Sequence, residues 1–382
     1  FVHQKMHLGA LWGQKWMCWL LVTSCFTKNS KTKRLKKTMR NVMSWIKNIV
    51  TVLLSILIAL VIAEISLRVL GVGYGNSPLE RSTKYHHLHP SNYNYLIHDP
   101  NGEYGGHHVF YDNLGFRVLN KLSQTSDLAN KKNALIFLGD SFTEGNQVPY
   151  NETFVSLVGD HLKLSSFNFG VSSYSPLIYE LQAQNIVPKF SADIVILQIF
   201  SNDFRDDQAY LKDAIFEGNK IVGIDGGKNN EFIKLVRKSF LARFLRKNQL
   251  LLQNILSKQN KNVKVSSRAF DYEQNVTDQQ LLSTVEIIKR IQTHLTSQGK
   301  KLYVFLIPSK SLSLANKCCV NDTLYTRFYS SLTTNKIETI DVKATFEKFN
   351  NQDKLFYVHD IHLTTLGHKV VAESISAHLK SE

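Results

Sequence analysis

Fifteen consecutive residues, IVTVLLSILIALVIA from Ile49 to Ala63, carry no charge, and between Lys47 and Arg68 the only charged residue is Glu64. Twenty helical residues span about 30 Å, the thickness of a bilayer core. Such a run lies either inside a large protein core or across a membrane. The flanks favour the membrane. KTKRLKKTMR ends at Arg40, and Trp45 stands at the edge of the run. Cationic flanks stay cytoplasmic, which predicts an uncleaved anchor over 49–71 and an extracytoplasmic location for all that follows. The small residues Val61 and Ala63 also fit a cleaved signal. The apolar pattern, however, continues through Ile65, Leu67, Val69 and Leu70. A basic tail, 1–48, precedes the anchor. Met39 or Met43 is a natural start, so residues 1–38 are expected to be upstream translation without function.

The net charge of +15 is unevenly placed. Residues 1–48 hold ten Lys/Arg and no acid, and residues 231–268 hold ten Lys/Arg against Glu231 alone. The rest is mildly acidic. Two basic islands without an interleaved aromatic recognition module argue against nucleic acid as a partner. Of the cysteines Cys18, Cys25, Cys318 and Cys319, the adjacent pair could close only a strained ring. Two free thiols are therefore expected there.

Residues 72–133, rich in Tyr, His, Asn and Gly, read as a stalk and lead-in. From 134 onward short apolar runs alternate with helical periodicity. Strands are expected at ALIFLG (134–139), SFNFG (166–170), DIVILQIF (193–200), KLYVFLIP (301–308) and KIETID (336–341). Helices are expected at 153–163, 176–187, 278–297 and 364–379. That alternation predicts an α/β fold: a three-layer α/β/α sandwich around a mainly parallel sheet of about five strands. Ligands of such folds bind beyond the carboxyl ends of the strands.

Polar residues stand at those ends. Gly139-Asp140-Ser141 follows the first strand, with Gly145 closing the turn. Gly170 follows the second, and Ser201-Asn202-Asp203 the third. His359-Asp360-Ile361-His362 and His368 precede the last helix. Ser141 can be a nucleophile, His362 its base and Asp360 the orienter of that base. Gly170 and Asn202 can each donate an N–H to an oxyanion. His359, Asp360, His362 and His368 are also zinc-ligand types. A metal reading leaves Ser141 without a role, so neither metal nor cofactor is expected.

In this order the four blocks resemble those of the SGNH hydrolase superfamily, the GDSL-type esterases, over roughly 134–382. The resemblance implies a nucleophile at Ser141, an oxyanion hole from Ser141, Gly170 and Asn202, and a His362–Asp360 base pair. Asn113-Leu114-Gly115-Phe116-Arg117 behind an anchor resembles bacterial membrane-anchored members. Three positions depart from the family pattern: Phe200 and Ser173 stand where glycine is usual, and Asp360-x-His362 is one residue shorter than the usual spacing. The shorter spacing resembles the branch that adds or removes O-acetyl groups on polysaccharides.

The expected activity is hydrolysis of an ester, an O-acetyl group of an extracytoplasmic glycan. Transfer of the acyl group to a polysaccharide, a lipase or phospholipase, and an inactive glycan-binding module remain open beside it. The insertion at 204–277 contains KLVRKSFLARFLRKNQLLLQNIL (234–256), basic and amphipathic. It reads as a solvated cap, an interfacial helix on anionic lipid, or a lid over an acidic glycan.

Overall fold

The computed structural model describes residues 30–70, 79–99, 102–218, 220–246, 248–249, 276–308, 310, 323–349 and 352–382. All four cysteines, and most of the basic island beyond 246, lie outside the described residues. The chain divides into two units, 1–66 and 67–382.

Helix α1, Ser30–Val69, runs for 40 residues. Large apolar side chains from Met39 to Ile65, among them Val50, Leu53, Leu57 and Ile62, are exposed around it. Among the described residues it is the one helix long and apolar enough to cross a membrane.

The second unit begins with small antiparallel sheets. Strands β1 (Glu80–Ser82) and β2 (His86–Leu88) pair with each other. Strands β3 (Asn94–His98), β4 (Gly105–Tyr111) and β5 (Arg117–Val118) form a second sheet. There follow β6 (Ala134–Leu138), α2 (Ser141–Glu144), α3 (Phe154–Leu162), β7 (Ser165–Asn168), α4 (Pro176–Asn185), β8 (Ile194–Ile199) and α5 (Asp203–Tyr210). A hairpin of β9 (Ala214–Glu217) and β10 (Lys220–Ile224) precedes α6 (Glu231–Lys238) and α7 (Asp278–Ser297). The chain closes with β11 (Lys301–Leu306), α8 (Thr323–Thr334), β12 (Glu338–Thr339), α9 (Val342–Glu347) and α10 (Thr365–Lys380).

The central sheet is parallel, with order β12-β11-β8-β6-β7. Its residues alternate between two cores, as the period of two requires. Ile136 and Leu138 of β6, with Val195 and Leu197 of β8, join the core that holds Leu177, Leu181, Ile288 and Ile291 of α4 and α7. Leu135, Phe137 and Ile196 face the other way, onto Val155, Val158, Val371 and Ile375 of α3 and α10. This is the expected three-layer sandwich. Local chemistry marks the helix starts. The Thr153 and Thr364 hydroxyls cap α3 and α10, and a capping box of Thr277 and Gln280 starts α7.

Residues 79–133 are folded onto the body rather than extended. Asp112 accepts N–H bonds from Leu114 (2.9 Å), Phe116 (2.9 Å) and Thr125 (3.1 Å). Gly115 takes φ 80°, and a Cβ there would lie 2.6 Å from the His89 carbonyl oxygen, so only glycine fits. That turn delivers Arg117 into the interior at 1% exposure. Its guanidinium donates to the carbonyls of Glu144 (2.7 Å), Gly145 and Val148 (2.6 Å). A cation thus satisfies the carbonyl end of the short helix α2, and the lead-in props up the segment that carries Ser141.

Candidate active site

Ser141 is the first residue of α2, just beyond β6. The turn that presents it is tightly specified. A Cβ on Gly139 would lie 2.1 Å from Thr143 Oγ1 and 2.5 Å from Gln198 Oε1. Asp140 caps the helix by accepting the Phe142 N–H at 2.9 Å, and Gly145 ends it at φ 64°. Gln198 of β8 accepts from the Thr143 hydroxyl (2.9 Å) and the Asp140 N–H (3.2 Å), which ties the turn to the neighbouring strand. As the first helical residue, Ser141 has no intrahelical acceptor for its N–H. Burial pushes the Asp140 carboxyl up to about 6, against the opposing effects of its Phe142 N–H bond and the His362 charge.

The loop before α10 brings His362 to Ser141. Its Nε2 lies 2.8 Å from Ser141 Oγ, and its Nδ1 lies 2.5 Å from Asp360 Oδ1. The shortened Asp-x-His spacing works because Asp360 closes on its own loop: Oδ1 also accepts the His362 backbone N–H at 3.0 Å. Burial opposes the His362 charge, but the Asp360 carboxylate and its hydrogen bond outweigh burial and raise the imidazole above its usual range. Burial likewise raises Asp360, yet the His362 charge and hydrogen bonds from His362 and Tyr104 hold it well below the usual carboxylate range.

Two of the departures now have local structure. Phe200 packs against Phe142 with ring centroids 4.4 Å apart and planes tilted by 42°, and Phe142 lies 5.0 Å from the His362 ring. Where a glycine would leave space, an aromatic pair backs the imidazole. Ser173 is exposed and holds φ 66°, a left-handed backbone rarely taken by serine.

The remaining expected site residues lie at neighbouring strand ends. Gly170 packs so closely that a Cβ would meet the Glu144 nitrogen at 2.4 Å. Its N–H donates to Asn168 Oδ1 at 3.0 Å, and the close packing by itself requires glycine here. Asn202 is half-buried just before α5, and its amide donates to Asp206 Oδ2 at 2.6 Å. One amide hydrogen remains beyond that bond.

Of the four zinc-ligand types, Asp360 and His362 bond each other, and His368 has a different partner. His368 is 1% exposed, accepts the Phe154 N–H on Nδ1 (3.2 Å) and is pushed by burial to about 3. His359 offers its backbone N–H to Glu103. No group of three or more His, Cys, Asp or Glu suited to a metal occurs among the described residues.

Sequence reasoning missed the contribution of the lead-in. The Tyr104 hydroxyl donates to Asp360 Oδ2 at 2.8 Å. Glu103 accepts the N–H groups of Val358 and His359, each at 2.7 Å. Both residues sit more than 250 positions from their partners, with no signal in composition or period. Beneath the site lies Glu144, fully buried. It lies 2.9 Å from His89 Nε2 and accepts from Tyr111 (2.6 Å), Asn146 (2.5 Å) and the N–H of Ser172 (2.8 Å). Burial pushes this carboxyl up, but His89 and the hydroxyl donors pull it down to about 2.

Residues 267–382 match the family model described as the SGNH hydrolase-like domain of the acetyltransferase AlgX. That stretch, less than half of the chain, is thus similar to an SGNH hydrolase-like domain, and it includes His362 and Asp360. The fold is similar to a G-D-S-L lipolytic protein from Veillonella parvula (11% identity, TM-score 0.37, covering 65% of this chain and 98% of that one). It is also similar to the lipase/acylhydrolase of Enterococcus faecalis (10%, 0.38, 65% and 96%). The acetylxylan esterase Axe2 of Geobacillus stearothermophilus gives 12%, 0.38, 66% and 96%. No curated protein sequence matches the chain.

Proposed function

We propose that the chain is a membrane-anchored serine esterase whose SGNH domain, outside the cytoplasm, removes O-acetyl groups from a glycan. The observation that carries this reading is the unbroken relay Ser141 Oγ, His362 and Asp360, at 2.8 and 2.5 Å. His362 Nε2 takes the Ser141 proton as Oγ attacks the ester carbonyl. Asp360 holds the imidazole and offsets its positive charge. The tetrahedral oxyanion is received by the Ser141 N–H and the second amide hydrogen of Asn202. Collapse expels the alcohol, which takes the proton from His362, and leaves an acyl group on Ser141. Water, activated by the same imidazole, then releases the acid.

Transfer to a sugar hydroxyl in place of water needs no other catalytic group. The match of 267–382 to the AlgX acetyltransferase model favours this second reading. The experiment supplies an acetylated polysaccharide with and without an unacetylated oligosaccharide, following free acetate and acetylated oligosaccharide separately. Esterase activity gives free acetate in both cases; transfer gives acetylated oligosaccharide at the expense of acetate. If neither forms, and only long-chain esters are cleaved, the glycan assignment fails. The anchor rests on the exposed apolar stretch of α1 and the cationic residues before it.

Tyr104 is a positioning residue in this scheme. Its hydroxyl fixes the second Asp360 oxygen and draws off part of the carboxylate charge. Without it, Asp360 holds imidazolium more tightly, so His362 binds its proton to higher pH. Tyr104→Phe should lower kcat about 3- to 10-fold, the net scale of one ordinary hydrogen bond. It should also move the acid limb of the pH–rate profile upward. An unchanged profile would assign Tyr104 a packing role only.

A further inference from the structure

Helix α6 has an apolar side that the body leaves uncovered. Asn230 starts the helix by accepting the N–H groups of Phe232 and Ile233. Phe232 is 72% exposed, Leu235 69%, Ile233 47% and Val236 39%. At 3.6 residues per turn these four fall within an arc of about 160°. Burial resumes immediately after: Phe240 and Arg243 are 8% and 7% exposed. Lys238 lies 3.6 Å from Glu80 and 5.3 Å from the Tyr93 ring centroid. The helix is therefore fixed to the domain at its far end, with its apolar side turned outward.

Charge and position identify what this side meets. Residues 231–246 contain five Lys/Arg against Glu231. Arg68, the first cation after the apolar run of α1, donates to the Lys238 carbonyl at 3.3 Å and lies 4.9 Å from the Phe240 ring centroid. Arg68 and α6 belong to the same unit. Arg68, which follows the apolar run by five residues in the sequence, thus touches the end of α6. A short amphipathic helix with cationic neighbours suits the boundary between headgroups and acyl chains of an anionic leaflet.

We propose that α6 docks on the surface of the bilayer that anchors the chain, with Phe232, Ile233, Leu235 and Val236 among the upper acyl chains and exposed basic residues of the segment, such as Arg246, against anionic headgroups. The inference rests on the membrane-anchor reading above. It gives the SGNH domain a second membrane contact, which fixes the orientation of the Ser141 face relative to the bilayer.

The test uses the full chain reconstituted into vesicles of phosphatidylcholine with or without phosphatidylglycerol. A fluorescent amino acid replaces Phe232, or Leu122, which is 88% exposed, as a control. Lipids carrying a nitroxide high on the acyl chain serve as quenchers. Quenching at 232 should exceed that at 122 at least ~5-fold in phosphatidylglycerol vesicles, the factor for about one basic contact, and should fall in high salt. Equal quenching at the two positions would overturn the proposal. So would a fluorescence change at 232 caused by a soluble acidic polysaccharide and not by vesicles, which would make α6 a glycan lid. Alkaline carbonate extraction reads the anchor separately. Protein washed from the vesicles means the anchor reading has failed; retained protein without quenching at 232 means that only the docking has failed.

Discussion

Ser141→Ala should lower acetyl-ester hydrolysis at least ~10³-fold, and His362→Ala should do so by a similar factor. The double variant should be no slower than either single one, because the two groups act in one proton transfer. The geometry makes the expectation specific. Ser141 Oγ is 2.8 Å from His362 Nε2, so removing either partner ends the transfer. Asn202 and the Ser141 N–H remain to account for residual catalysis. Because His362 is raised above the usual imidazole range by Asp360, the neutral base should be populated only at correspondingly higher pH. The wild-type rate should therefore rise through and beyond the ordinary histidine range. A double variant whose loss is the product of the single losses would separate the two residues and break the scheme.

Glu144→Ala should destabilise the 67–382 unit by about 3–5 kcal/mol, the scale for removing one partner from a buried charge network. For a unit of this size that corresponds to a fall in Tm of roughly 5–8 °C. Four side chains, His89, Tyr111, Asn146 and Ser172, converge on this one carboxylate. They come from the lead-in, the turn after α2 and the loop after β7, so its loss loosens three segments together. The pH dependence carries a sign. A carboxyl pulled down to about 2 contributes stability that is present above the ordinary glutamate range and lost as pH falls toward 2. Glu144→Gln removes the titrating group, so its Tm deficit against wild type should narrow over that interval. Thermal melts followed by circular dichroism read both effects. A deficit that widens as pH falls would contradict the assignment.

The central sheet was legible because each strand is a short apolar run bounded by turn residues. Helix 278–297 was legible to the residue, since its capping box and period are both written locally. Strand ends were less so: SFNFG contributes only Ser165–Asn168, and KIETID only Glu338–Thr339. Past those ends Phe169 and Ile340 each still donate one N–H to the neighbouring strand, at Phe137 and Val304, but no regular ladder continues. Ser141, His362 and Asp360 stood out because reactive side chains at strand ends have few structural uses. At Gly170 the chain position suggested an N–H donor, and the structure adds a packing requirement for glycine, from the backbone of Thr143 and Glu144 pressed against it.

The lead-in was least legible. Beside its apolar cluster of Tyr95, Ile97, Val109 and Tyr111, polar groups join it to the body: Arg117 feeds backbone carbonyls, and Glu144 gathers hydroxyls and an imidazole. Hydrophobic period carries no trace of such bonds. Tyr104 and Glu103 meet the His362 loop across most of the chain length. Phe200 looked like a departure from a glycine pattern, and only its packing against Phe142 gives it a use.

The most direct measurement is labelling of the full chain with a fluorophosphonate, followed by peptide mass spectrometry. An activated Ser141 should carry a stoichiometric adduct, gained in step with loss of ester hydrolysis and faster as pH rises through the titration of His362. An enzyme that loses activity with the adduct on another residue, or keeps full activity with Ser141 modified, would contradict the account.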